Sequence, residues 1–73
     1  MIELKNWLFH YRIDEEKGKV WQVDTTLKGK KKTPVESLML FKGFGKLEEA
    51  YDYLAKTTGL PAWKLRRMSK KTA

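Results

Sequence analysis

The sequence predicts an α+β fold: a three-stranded antiparallel sheet packed against one main helix, with a short C-terminal helix. Three observations carry that prediction. Two aromatic-rich segments, 7–13 and 19–27, alternate with period two, as strands with one buried face do. A short apolar run, Ser37-Leu38-Met39-Leu40-Phe41, is followed closely by Gly43. Residues 46–57 then repeat apolar side chains at spacings of three and four, the period of an amphipathic helix. A chain of 73 residues holds one small domain with a thin core. Its expected extent is 1–68, with a frayed basic tail at 69–73.

The first strand is expected over 7–13. Trp7, Phe9, Tyr11 and Ile13 share one face, and Leu8, His10 and Arg12 share the other. Asp14–Lys19 supplies turn chemistry, with Gly18 free to take a positive φ. In the second strand Trp21, Val23, Thr25 and Leu27 alternate with Val20, Gln22 and Asp24. Packing Trp7, Phe9, Tyr11, Trp21 and Val23 beneath the helix leaves His10, Arg12 and Gln22 on an open face.

Lys28–Pro34 reads as a basic loop, and the segment after it has two readings. Thr33-Pro34-Val35-Glu36 fits a helical capping box with Pro at the first position. The apolar run fits a buried third strand near 37–43, and this reading is preferred because an isolated hairpin is marginal in water. The main helix runs from Lys46 to Thr57. Leu47, Ala50, Tyr51 and Leu54 form its apolar stripe, Glu48 and Glu49 lie in its first turn, and Lys56 lies in its last. Gly59 stops it, and Ala62–Met68 forms a short second helix carrying Trp63.

Lys42-Gly43-Phe44-Gly45-Lys46 invites comparison with a phosphate-cradling loop. A P-loop needs Gly where Leu40 stands and Ser or Thr where Leu47 stands. The dinucleotide pattern G-x-G-x-x-G meets Glu48 at its third glycine. The two glycines are therefore read as a sharp turn, with Phe44 as a buried pin between them.

Catalytic and metal chemistry find few candidates. The chain has no Cys and one His, so thiolate sites and His clusters are excluded, and no metal or cofactor is expected. Glu48 and Glu49 are neighbours on a helix and point about 100° apart, too divergent to act as an acid/base pair. Neither Ser37 nor Ser69 has a base nearby in sequence. The chain is read as a non-enzyme. The lack of Cys, of a secretory leader and of a long apolar run predicts a cytoplasmic protein with no membrane partner.

Charge placement says more. The net charge is +7, drawn from 16 basic and 9 acidic residues. Lys28, Lys30, Lys31 and Lys32 cluster in the loop, and Lys64, Arg66, Arg67, Lys70 and Lys71 cluster near the C-terminus, with no acid inside either cluster. Two segregated basic patches fit a polyanion such as nucleic acid. The expected contacts are these nine residues together with His10, Arg12, Lys19 and Gln22 from the open sheet face. Arg and Gln suit base edges, and a small sheet suits the major groove.

Trp7, Phe9 and Tyr11 in the first strand, Gly18 in the turn, and Gly43, Phe44, Glu49, Ala50 and Leu54 at the strand-to-helix junction form a recurring pattern. Across residues 5–57 the chain resembles the arm-type N-terminal DNA-binding domains of tyrosine integrases, which are related in shape to plant AP2-type domains. The resemblance implies a three-stranded sheet in the DNA major groove, with Arg12 and Gln22 facing bases. It implies a free-standing accessory protein of a mobile element or phage. Lys46 departs from the pattern, standing where that family carries a Thr or Ser cap.

Two alternatives stay open. A protein-interaction module, such as a phage-type inhibitor, would meet an acidic partner through Leu8, Val20 and Trp63. A helix-turn-helix over 46–68, with 33–69 forming three helices, would read DNA with Lys64, Arg66 and Arg67.

Overall fold

The computed structural model describes residues 1–71. Along them run β1 (Ile2–Lys5), β2 (His10–Asp14), β3 (Lys19–Lys28), β4 (Thr33–Gly43), α1 (Leu47–Thr58), α2 (Ala62–Met68) and β5 (Lys70–Lys71). The strands form one sheet in the order β4-β3-β2-β1-β5, antiparallel at every junction. The fold remains α+β, but the sheet has five strands and carries two helices, so the three-stranded expectation is corrected.

The register explains the core. Ile2 stands opposite Ile13, and Ile13 opposite Val20, while Leu4 stands opposite Tyr11. Directly opposed residues share a face, so these side chains make a continuous apolar floor. Ala50, Tyr51 and Leu54 of α1 and Leu65 of α2 close it from above. Leu4, Ile13, Val20, Leu54 and Leu65 are completely enclosed. Each contributes about 1.5–3 kcal/mol by leaving water.

The expected strand phase fails in two places. Asn6 ends β1: its side-chain oxygen accepts hydrogen bonds from the N–H groups of Leu8 and Phe9, at 2.8 and 2.9 Å. That turn carries Trp7 and Leu8 out of the sheet, and Trp7 is 90% exposed. Phe9, Tyr11 and Ile13 keep the expected inward face, with the Phe9 and Tyr11 rings 5.6 Å apart. In β3 the faces are reversed. Val20 is completely enclosed on the helix side, and Trp21 and Val23 lie on the other side, where Val23 is also buried. The decisive neighbour is Ile13, whose cross-strand pairing with Val20 outweighs the greater bulk of Trp21.

The third strand is real and longer than 37–43. Pro34 sits within it, allowed because β4 is the edge strand and needs no outward N–H there. The capping-box and three-helix readings of this segment are thereby excluded. A bulge separates Val20 and Trp21: Val20 pairs with Lys42 and Trp21 with Leu40, leaving Phe41 as the extra residue. Phe41 turns to the helix side and packs on Tyr11 at 5.4 Å. β1 escaped prediction because four residues with two apolar positions carry almost no periodic signal. β5 escaped because two exposed lysines carry none. Lys70 and Lys71 pair with Glu3 and Ile2, so this part of the expected frayed tail is strand. Residues 72–73 of that tail lie outside the described residues.

The junction ahead of α1 works differently from the expected glycine turn. Neither Gly43 nor Gly45 has a positive φ; Gly18 does, at 63°. The Phe44 N–H donates to the Gly18 carbonyl at 2.8 Å, and a Cβ on Gly18 would meet the Phe44 carbonyl oxygen at 2.6 Å. Gly18 thus permits the turn and the close approach that latches the β2–β3 turn to the root of β4. Phe44 is half-buried against the core rather than a sealed pin. At the start of α1 the Glu49 carboxylate reaches back to accept the Gly45 N–H at 3.1 Å, which substitutes for the missing cap at Lys46. Gly59, in the left-handed region, closes the helix with its N–H on the Ala55 carbonyl.

Two stability outcomes follow. Gly18→Ala combines a positive φ with a backbone clash, and Gly29→Ala combines a positive φ with open space. Thermal melts should show Gly18→Ala the more damaging, by at least ~1 kcal/mol. Leu65→Ala should cost about 2–5 kcal/mol, enough to unfold much of so small a domain.

Candidate nucleic-acid interface

Beyond Gln22, β3 loses β2 as a neighbour and pairs only with β4. The two strands continue alone as a ribbon to Lys28 and Thr33, about 20 Å at the usual rise per residue. Its tip is the four-residue turn Gly29–Lys32. Gly29 takes φ 79° and Lys32 takes φ 50°, and the Lys32 N–H closes the turn on the Gly29 carbonyl at 3.2 Å. Lys28, Lys30, Lys31 and Lys32 are all exposed. Among the described residues none of them is paired with a carboxylate. Lys32 is notable because a side chain in the left-handed region costs about 1–2 kcal/mol that Gly or Asn would largely avoid.

The second basic cluster lies at the opposite edge of the sheet. Lys64, Arg66 and Arg67 are exposed on α2, whose single fully enclosed residue is Leu65. The Arg66 guanidinium lies 5.1 Å from the Tyr51 ring centre. Pairing of β5 with β1 fixes Lys70 and Lys71, and Lys70 joins Glu3, Lys5 and Met68 around an open depression of about 240 Å³. The Tyr51 hydroxyl, 2.8 Å from Ser69 Oγ, anchors the start of this edge.

The open sheet face is not the basic surface that the strand pattern suggested. His10 Nε2 donates to Glu3 Oε1, Arg12 Nε donates to the same oxygen at 3.1 Å, and Arg12 Nη2 donates to Glu36 Oε2. Two carboxylates therefore surround one guanidinium. The hydrogen bond from His10 holds the Glu3 carboxyl below its ordinary value against the effect of burial, and Arg12 adds to the pull. Burial opposes charge on Arg12, but its hydrogen bonds to Glu3 and Glu36 prevail and raise its pKa. Gln22 stands in register with Tyr11, on the face opposite Arg12, so the two cannot read bases together. Lys19 lies 5.9 Å from the Trp21 ring centre. Of the predicted interaction patch, Leu8 and Trp63 are exposed, and Val20 is sealed in the core and unavailable to any partner.

Sequence reasoning missed Glu3 and Glu36, which neutralise the open face from nine and twenty-four residues away along the chain. Nothing local signals such partners. It also missed the ribbon, although the basic loop between two alternating segments marked its tip.

No protein-family model, curated protein or solved structure matches the chain. The five-stranded order also differs from the three-stranded sheet that the integrase resemblance implied.

Because the folded Glu3 carboxyl titrates below its unfolded value of 4.5, its contribution to stability is complete above that pH and is lost as pH falls through the lower folded value. Denaturation titrations from pH 6 to 2 should show Glu3→Gln less stable than the parent at pH 6. The difference should shrink through the acid range.

Proposed function

We propose that this protein is a small basic module that binds double-stranded nucleic acid, DNA in the first instance, and performs no catalysis of its own. The tip of the ribbon and the α2–β5 edge act as two phosphate clamps. One observation carries the reading: four lysines without a carboxylate partner sit at the end of a two-stranded ribbon that projects from the sheet. A ribbon of this kind fits into a duplex groove. Lysines on a projecting tip reach phosphates without a carboxylate partner to compete for them. Lys32, kept in a strained conformation, supports a role for its charge beyond folding.

This reading moves the contacts away from His10, Arg12 and Gln22 and keeps Lys28, Lys30, Lys31 and Lys32 with Lys64, Arg66, Arg67, Lys70 and Lys71. Fluorescence anisotropy with a duplex at several salt concentrations tests it. Binding should weaken steeply as salt rises. Replacing Lys30, Lys31 and Lys32 by Ala should lower the slope of log K against log salt by about three. Arg12→Ala should leave that slope unchanged. Lys32→Gly should raise stability by up to about 1 kcal/mol while weakening binding, because the strain and the charge leave together. No binding at low salt would end this reading.

A second reading rests on β4, whose outer edge pairs with no strand and which exposes Leu38, Met39 and Leu40 by 50%, 63% and 50%. An unpaired edge of this composition suits a protein strand added to the sheet. Affinity capture before and after nuclease treatment separates the two: a nucleic-acid partner is lost and a protein partner is kept.

A further inference from the structure

We propose that Leu27 and Pro34 form an apolar wedge that enters between two base pairs of duplex DNA from the minor groove and kinks the duplex. The inference rests on the reading of the ribbon as a DNA clamp and names what its last apolar pair does there.

Leu27 and Pro34 are directly opposed across β3 and β4, one residue short of the basic turn on either strand. Opposed residues share a face, so the two side chains make one apolar surface. Pro34 is exposed and Leu27 is 62% exposed. Neither belongs to the core, which draws nothing from the outer ribbon. The pair therefore has no role in packing the core.

Its surroundings point to the partner. Lys28 follows Leu27 directly, and Lys30, Lys31 and Lys32 curve around the tip toward Pro34. An apolar surface set among cations suits a ligand whose apolar interior is framed by anions, which describes stacked bases between two phosphate backbones. A protein groove rich in carboxylates would match the lysines but would gain less from the wedge.

The major groove admits a two-stranded ribbon as it stands, whereas approach from the minor groove requires insertion. The minor groove is about 6 Å wide, and a ribbon whose strands lie about 4.8 Å apart exceeds it once side chains are added. A wedge that unstacks one step opens that groove and bends the duplex toward the major groove. Pro34 suits the task because it has no N–H to be left unpaired between bases. Leu38, Met39 and Leu40 lie nearer the root of β4, away from the tip lysines, and stay outside this contact.

The test uses a 25-base-pair duplex with a central flexible TA step. It carries donor and acceptor dyes at its ends and, in a second version, 2-aminopurine at the step. At low salt the protein should raise energy transfer and 2-aminopurine fluorescence, reporting bending and unstacking. Leu27→Ser should keep the parent melting temperature, because Leu27 lies outside the core. It should bind about tenfold more weakly with an unchanged salt slope, and lose both signals. Binding without bending or unstacking overturns the wedge and leaves the clamp intact. So does a Leu27→Ser variant that still bends the duplex. No binding by the parent protein at low salt overturns clamp and wedge together. If sedimentation shows that Leu27→Ser dissociates a dimer, the pair is a contact between copies and the wedge is overturned.

Discussion

Ile2, Ile13 and Val20 stand side by side across three adjacent strands, in contact with a helical layer that excludes water from them. This row sets the phase of every strand it crosses. A strand has two faces, and a shift by one residue exchanges them. With Val20 committed to the core, Trp21 and Val23 must face away, and so must Arg12 beside Trp21. The bulge at Phe41 then repairs the mismatch that a long β4 would otherwise accumulate, returning an aromatic ring to the helix side. The position of the ribbon and the pairing of charges on the open face both depend on that row.

Much of the helical layer was legible in the sequence. The α1 stripe at Ala50, Tyr51 and Leu54 and the stop at Gly59 are local signals, and the structure has both. Strand existence was legible where segments were long, as in β3 and β4. Strand phase was not, because Val20-Trp21-Gln22-Val23 offers apolar residues of both parities. Bulk favoured Trp21, whereas the winning contact came from Ile13 across the turn. The short strands were invisible for a different reason. A strand of two or four residues owes its existence to its neighbours, and no periodicity within it can announce that. The candidate site divides in the same way. Lysines at a turn could be read directly, but whether Arg12 was free depended on Glu3 and Glu36, which only the folded sheet brings to it.

The two surfaces show how burial and pairing decide what a charge is worth. Arg12 is partly enclosed and held by two carboxylates, so its charge is largely cancelled at short range. The tip lysines have no such partners and keep their field for longer-range attraction, within the limit of ionic screening. A formal charge of +7 says nothing of this division. A face containing an arginine and a histidine is neutralised, while a turn of a few residues carries much of the usable potential.

The latch between Gly18 and Phe44 holds β4 at one end only. From there the ribbon extends as a cantilever, anchored at its root and unsupported at its tip. The outer ribbon adds little to the buried core. Side-chain changes at exposed tip positions with ordinary backbone angles can therefore alter surface charge and reach with little effect on the core. The molecule is divided into a base that holds the fold and an end whose side chains the fold leaves largely unconstrained.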